Sequence, residues 1–453
     1  MQNYDLAIIG AGAGGYVSAI YASRLGLRTC LVEKDSVGGT CLNRGCIPTK
    51  VMLTCAGYIA SLKAAGAYGV EVAGYNFVQE KLFSKREEVV ARLRNGILSL
   101  LKANKVDLIK GPGRIRSRGL VDVLGVEIGA KNIIIATGSI SVELPDMKFD
   151  GARIVSSEGL LGLAAIPKSI LIVGGGVIGC EFATFYNTVG SKVHVVELMD
   201  RLLPTMDREL GKRLEVVLKK QGVDIRTSTK VGSVRSSGDK VEALLQDSKI
   251  ESEVALICVG RRPNTSGLGL EGLGVLMEKG RIVVNEFLET NVKGIFAIGD
   301  CIGGPMLAHA ASYEGMIACD NIAGTKKGVD YNLIPSCIFT EPEIAVCGLC
   351  EDEAKKAYPG SKAVKFPYMA SSKAQVITRP DGFIKMVGDA SGRLLGIEIM
   401  GHNACDLIGE ASLAIAMKAN IEDMAAAVHA HPTLSEIFGD ASHLFLGKAI
   451  HTI

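Results

Sequence analysis

One glycine-punctuated pattern occurs twice in this chain, and it limits the possible folds more than any other feature. LAIIGAGAGGYVSAIYASRLGLRTCLVEK reads as a buried strand, a tight turn, a helix and a second strand. Gly10, Gly12 and Gly15 form G-x-G-x-x-G, and the acid Glu33 closes the second strand. ILIVGGGVIGCEFATFYNTVGSKVHVVEL repeats the arrangement with Gly174, Gly176, Gly179 and Glu197. Counted from the first glycine, both sets fall at offsets 0, 2, 5 and 23. Either loop alone could be a glycine turn that binds nothing, whereas a matched pair in this context is specific.

The chemistry explains the spacing. The first glycine permits the turn, the second lets backbone approach a pyrophosphate, and the third lets helix and strand pack closely. The helix N-terminus adds partial positive charge. Glu33 and Glu197 can each accept a hydrogen bond from a ribose 2′-hydroxyl. A carboxylate at Glu197 repels a 2′-phosphate, which favours NAD over NADP. Two dinucleotides on one chain suggest electrons moving between a bound flavin and a diffusing nicotinamide. KNIIIATGS (131–139), EVALICVGRRPN (253–264) and GIFAIGDC (294–301) are further apolar strands ending in glycine turns. Asp300, in the last of these, suits a flavin ribityl hydroxyl or the N-cap of the helix that follows; both readings stand.

Composition narrows the partners. The 453 residues allow two to four domains, and 50 Lys plus Arg against 48 Asp plus Glu leave a charge of +2. That balance, with no Trp, argues against nucleic acid or a membrane surface. No apolar run reaches 18 residues and no signal peptide is visible, so the expected location is the cytoplasm, or an organelle matrix if a targeting segment was removed. The 12 cysteines are then expected to be mostly reduced.

Against that expectation stands GGTCLNRGCIPTK, residues 38–50. Four residues separate Cys41 from Cys46. A structural zinc site would want closer pairing and more ligands nearby, and a structural lock suits a reducing compartment poorly. A redox pair fits best, with two unpaired thiols as the remaining alternative. In a regular helix residues so spaced lie about 7.5 Å apart along the axis, beyond comfortable disulfide reach. A bridge therefore requires a bend, expected at Gly45 or Pro48. Arg44 and Lys50 flank the pair. Arg44 reads as a solvated charge and Lys50 as a candidate for a place beside a flavin. Near the C-terminus, VHAHPTLSEIFGD holds His429, His431 and Glu436, an imidazole and carboxylate set suited to taking a proton from a thiol. The bare residues do not say which histidine is the base.

Taken together and in this order, GGTCLNRGCIPTK, the doubled glycine pattern and HAHPTLSE resemble the pyridine nucleotide-disulfide oxidoreductase family. The resemblance covers essentially the whole chain. It implies an α/β protein of two interleaved Rossmann-like dinucleotide-binding domains plus a C-terminal α+β dimerisation domain. The expected boundaries are 1–144 for an FAD-binding domain with the redox disulfide, 145–263 for NAD, 264–332 for the return to the FAD side and 333–453 for the interface. The implied cofactors are FAD and NAD, with no metal, in a homodimer whose subunits complete each other's sites.

The resemblance also implies roles. Cys46 would lie against the flavin, Cys41 would meet the substrate, His431 before Pro432 would be the base and Glu436 would orient it. Cofactor contacts are expected from Gly10, Gly12, Gly14, Gly15, Glu33 and Lys34. Gly39, Thr40, Lys50, Thr137 and Gly138 are expected to add to them, as are Gly299, Asp300, Met306, Leu307 and Ala308. The second loop would contribute Gly174, Gly176, Val177, Ile178, Gly179, Glu181 and Glu197, with Gly260 and Arg261. Glu181 is expected near the nicotinamide pocket.

The implied activity is oxidation of dihydrolipoyl groups with NAD+ as acceptor, as a shared component of 2-oxo acid dehydrogenase or glycine cleavage complexes. The lipoyl arm would arrive on a carrier or acyltransferase protein. The glutathione-type branch places arginines where Ile20 and Tyr21 stand here, and mercuric reductases end in a cysteine pair where this chain ends HTI. The alternatives are a flavin-dependent reductase of another low-mass disulfide and, in a different class, a nucleotide-binding protein whose cysteines hold metal. Arg44, Ala310 and Glu341 depart from the family pattern. Cys347 and Cys350 form C-x-x-C but read as free thiols, and Cys55, Cys180, Cys258, Cys301, Cys319 and Cys405 as core thiols. The stretch 85–106 has helical spacing with mixed charge and reads as a solvated helix of the FAD domain, not a partner-binding device.

Overall fold

An apolar run with no polar face, such as LAII, is stable as a strand only when both of its sides are covered. In the computed structural model, which describes residues 2–452, that run belongs to β1 (Gln2–Ile9), and Leu6, Ala7 and Ile8 are fully buried. β1 lies inside a seven-stranded sheet, parallel to β2 (Thr29–Glu33) on one side and to Val126–Ile135 on the other. Asp107–Lys110 extends the sheet beyond β2, and Ile295–Ala297 joins Val126–Ile135 in parallel. Leu120–Val123 and Gly113–Ser117 add an antiparallel edge. Helix α1 (Ala13–Arg24) crosses from β1 to β2 and packs on the helix Ala308–Ile322, where Ser312 donates to the Ala13 carbonyl at 3.2 Å.

The chain forms two compact units. One holds the residues up to Gly174 with Phe185–Leu198 and Thr229–Val329; the other holds Gly175–Thr184, Met199–Ser228 and the chain from Asp330 onward. The first unit contains a second group of parallel strands, Ile154–Val155, Val254–Ile257, Ser169–Val173 and Lys192–Val196, and an antiparallel three-stranded sheet between Val231 and Ser252. The second unit is built on a five-stranded antiparallel sheet. Its order is Ser336–Ile338, Glu343–Gly348, Leu394–Gly401, Phe383–Gly388 and Lys362–Pro367. Ile408 and Ala411 of Ala404–Ala416, and Ile437 and Phe438 of Glu436–Phe445, share a core with Ile384, Ile397 and Ile399 of that sheet. The expected α/β class, with two dinucleotide-type strand groups and a C-terminal α+β part, is what the structure shows. Among the described residues no helix is long and apolar enough to cross a membrane.

A buried charge cluster ties the second unit together. Lys385, its side chain 7% exposed, stands 3.2 Å from each of Asp207, Glu209 and Glu398. Asp207 also caps the helix Arg208–Lys220, accepting the Glu209 amide at 2.7 Å. The three carboxylates hold the Lys385 ammonium above its usual range against the pull of burial. Glu398 fares worst: burial pushes it up to about 7, and Asp207 and Glu209 add repulsion that Lys385 only partly offsets. Between its ordinary value of 4.5 and about 7 the folded chain therefore keeps a proton that the unfolded chain has released. Stability should fall as pH rises through that window, and Glu398→Gln should flatten the slope in melting curves. Lys385→Met leaves three carboxylates facing one another and should cost roughly 3–5 kcal/mol. A Lys385→Met protein that melts like the wild type would show that the cluster carries no such stability.

Candidate active site

The redox segment is two helices with a break. α2 (Gly39–Arg44) ends at Gly45, and α3 (Cys46–Ala64) begins immediately after it. A side chain at Gly45 would place its Cβ 2.9 Å from the Thr40 carbonyl oxygen, so only glycine allows the chain to fold back this closely. The break brings the Cα atoms of Cys41 and Cys46 to 4.7 Å, and the two form a disulfide. The bend is at Gly45; Pro48 sits within the first turn of α3, a place proline tolerates. Thr49 secures the junction, its hydroxyl donating to the Gly45 carbonyl at 2.7 Å. The Asn43 amide clamps the opposite end, donating to Val37 O at 3.0 Å and Gly39 O at 2.9 Å. Cys46 opens a 19-residue helix, whose N-terminus favours a thiolate. Lys50 lies one turn further along α3.

The first glycine loop adjoins this segment: the Gly38 amide donates to Ala11 O at 2.7 Å. Gly15 carries the close approach of helix to strand, since a Cβ there would lie 1.8 Å from the Gly10 carbonyl oxygen. At Gly12 an added Cβ would meet no protein atom within 4 Å, although the residue stands at the N-terminus of α1. This is the open, donor-lined cradle that a pyrophosphate needs. Glu33 accepts the amides of Ala11 at 2.6 Å and Asp35 at 2.8 Å, so it braces the loop as well as facing any ribose. Burial raises its pKa. Lys34 follows Glu33, and Thr40 lies in α2 beside Cys41.

Asp300 does not cap the helix Ala308–Ile322, whose N-cap is Leu307. It lies in the short turn Gly299–Ile302 and accepts the Ser139 hydroxyl at 2.5 Å. Arg261 donates to the same hydroxyl at 2.7 Å, and Thr137 donates to the Asn264 carbonyl at 2.7 Å. The buried Glu314 carboxylate accepts the Gly299 amide at 2.6 Å and so fixes this turn. Gly138 and Gly260 both have positive φ, at 69° and 130°, and Met306 has φ 44° just before Leu307 and Ala308. In the second loop, Gly174 has φ 113°, and Val177 and Ile178 begin the helix Val177–Thr188 that also carries Gly179. Gly176, like Gly12, has no protein atom within 4 Å of an added Cβ. Glu181 accepts the Phe339 amide at 3.1 Å, and Glu197 is 7% exposed.

The structure separates the two histidines. His429 is 12% exposed, bonded to Glu410 at 2.9 Å and stacked on Phe438, which fits a packing role. His431 is 69% exposed and its Nδ1 stands 2.8 Å from Glu436, leaving Nε2 directed away from that bond. Glu436 also accepts the Thr433 amide at 2.9 Å. Burial raises the Glu436 pKa, but the His431 and Thr433 bonds outweigh it and hold the carboxyl below its usual range.

A cavity of about 530 Å³ opens on Cys41. Tyr16, Ile47, Leu93, Ile97 and Leu100 give it an apolar lining, and Arg92 and His309 are its cationic and imidazole groups. All but the last three residues of the stretch 85–106 lie in α4 (Gln79–Ala103), and α4 is not simply a solvated helix, because Arg92, Leu93, Gly96, Ile97 and Leu100 form one wall of the cavity. The available signal was the apolar face that Leu93 and Leu100 share with Val89, Gly96 and Ile97, although the two leucines are 41% and 48% exposed. Cys347 and Cys350 are free thiols, as expected. Cys180, Cys301 and Cys319 are buried, whereas Cys55, Cys258 and Cys405 are only half-buried. Arg44 is not a plain solvated charge: it pairs with Asp35 and stands 4.0 Å from Glu158.

Comparison with known proteins matches this arrangement. The pyridine nucleotide-disulphide oxidoreductase model matches residues 4–315, and the dimerisation domain model of the same family matches residues 334–442. A dihydrolipoyl dehydrogenase of Bacillus subtilis is 41% identical over 99% of this chain and 99% of its own length. One from Chlamydia pneumoniae is 39% identical over 99% and 98%. The solved structure of LpdA from Mycobacterium tuberculosis superposes with a TM-score of 0.91 at 25% identity, covering 98% of this chain and all of that one. The chain belongs to the pyridine nucleotide-disulphide oxidoreductase family. As a member of it, the protein is an oxidoreductase that uses FAD and NAD.

The glycine cradle gives this family membership a direct test. Gly15→Ala forces α1 off β1 and should lower the melting temperature even without cofactor. Gly12→Ala should leave the apoprotein's melting temperature unchanged yet reduce FAD content after purification. Equal FAD loading of the wild type and Gly12→Ala would show that the cradle is not the pyrophosphate site.

Proposed function

We propose that this chain is an NAD-dependent dihydrolipoyl dehydrogenase. The observation that carries the proposal is the Cys41–Cys46 disulfide at the wall of an apolar cavity, which suits a dithiolane ring on an aliphatic arm better than a charged peptide. The relatives' names support the same substrate. We assign residues 1–144 and 264–332 to FAD binding, 145–263 to NAD binding and 333–453 to the subunit interface. The protein acts as a homodimer in which His431 and Glu436 of one copy serve the disulfide of the other.

A substrate thiolate attacks the Cys41 sulfur, the Cys41–Cys46 bond breaks, and Cys46 leaves as a thiolate stabilised at the N-terminus of α3. His431 Nε2 takes the proton of the second substrate thiol, with Glu436 holding the imidazole at Nδ1. That thiolate displaces Cys41, so the substrate leaves as a disulfide and the enzyme keeps two reduced sulfurs. FAD bound beside this dithiol would supply the two-electron chemistry that links it to NAD+. Gly10, Gly12, Gly14, Gly15, Gly39, Asp300 and the 306–308 segment would hold FAD, with Lys50 as a further contact. The loop from Gly174 to Glu181, with Glu197, holds NAD. The carboxylate of Glu197 excludes a 2′-phosphate. The dihydrolipoyl arm comes from a carrier or acyltransferase protein of a 2-oxo acid dehydrogenase or glycine cleavage complex, in the cytoplasm or an organelle matrix.

NADH-linked turnover should be fast on lipoamide and negligible on glutathione disulfide; the reverse preference would replace this reading with a reductase of another low-mass disulfide. Cys41→Ser should abolish turnover while FAD stays bound. His431→Gln should slow it by on the order of 10²–10⁴-fold, the usual weight of a positioned proton acceptor.

A further inference from the structure

Ten of the twelve cysteines stand outside the redox segment as free thiols. The adjacent pair Cys347 and Cys350 is poorly placed for chemistry: Cys347 is buried and hydrogen bonded by Ser412 at 3.3 Å, and Cys350 precedes the helix Glu351–Ala357. Folding instead brings together two cysteines 68 residues apart, Cys337 on the strand Ser336–Ile338 and Cys405 in the first turn of Ala404–Ala416. The Cys337 thiol donates to the Cys405 carbonyl at 3.9 Å. The Cys405 thiol donates to the carbonyls of Ile338 at 3.6 Å and Ile344 at 3.8 Å. Both residues are half-buried. The neighbouring Glu343 carboxylate accepts the Cys405 amide at 2.9 Å. Among the described residues no group of three or more His, Cys, Asp or Glu is arranged to hold a metal.

We propose that Cys337 and Cys405 are a second redox site, a dithiol that hydrogen peroxide oxidises to an intramolecular disulfide. One thiolate of the pair attacks a peroxide oxygen, the O–O bond breaks, and hydroxide leaves to give a sulfenic acid. The second thiol then attacks that sulfur and displaces water. The balance is two thiols and one hydrogen peroxide in, one disulfide and two waters out. Cys337, burial and Glu343 together push the Cys405 thiol far up, so Cys337 supplies the attacking thiolate and Cys405 is the thiol that resolves the sulfenic acid. The new bond would join the strand to the helix. Two residues beyond Cys337, Phe339 donates its amide to Glu181, so oxidation acts on the segment that positions that carboxylate.

The test is to expose the FAD-loaded protein to hydrogen peroxide, alkylate every remaining thiol in denaturant, digest without reductant and identify the peptides by mass spectrometry. The expected product is the Cys337 peptide joined to the Cys405 peptide with the loss of two hydrogens, from protein that runs as a single chain on a non-reducing gel. In Cys337→Ser, Cys405 should be recovered without a disulfide partner. The proposal is overturned if both cysteines of the wild type are recovered alkylated while other half-buried thiols such as Cys55 are consumed. A link that joins two chains would overturn it as well.

Discussion

Everything chemical in this protein depends on one backbone break. Two cysteines five positions apart on a continuous helix would point to different faces and could not bond. At Gly45 the helix stops and restarts, the Cα atoms come to 4.7 Å, and the disulfide forms. The surroundings hold that break in place. Gly38 hangs the segment on the first glycine loop, Asn43 clamps its start, and Thr49 secures the junction. The same break starts a long helix at Cys46, so the geometry that closes the bond also favours the thiolate released when it opens.

The cradle beside it follows the same economy of contact. Gly15 lets α1 touch β1, which aims the helix N-terminus at the space left open above Gly12. Glu314 and Ser139 hold the Gly299–Asp300 turn, each by one short hydrogen bond. The strands behind these loops are buried on both faces, so the loops are presented from a rigid base.

Much of this was legible in the residues, and the reason is physical. Glycine spacing in a phosphate-binding turn is dictated by backbone contact, so both loops, their acids and the strand–turn–helix order could be read directly. That the segment bends was legible because covalent geometry requires it, but the residues left Gly45 and Pro48 both open and only the structure places the break at Gly45. Other features were hidden because they depend on tertiary placement. His429 and His431 each have a carboxylate partner, and it is burial, the ring nitrogen used and the stacking of His429 on Phe438 that separate them. The wall of α4 beside Cys41 could not be found from helical period alone, since a charge-rich helix that leaves Leu93, Leu98 and Leu100 exposed reads as surface. The approach of Cys337 to Cys405 joins residues distant in sequence, whereas the conspicuous C-x-x-C brings no reactive pair together. Asp300 was evenly balanced between two readings, and the cap at Leu307 removed one of them.

The central claim is that Cys41 and Cys46 carry electrons from a dithiol substrate. The most direct measurement is the visible spectrum of the FAD-loaded protein under anaerobic conditions, before and after dihydrolipoamide. The account predicts a new long-wavelength band, from a thiolate lying against the flavin, that NAD+ then discharges. A flavin spectrum that dihydrolipoamide leaves unchanged, in protein whose Cys41–Cys46 bond stays intact, would contradict it.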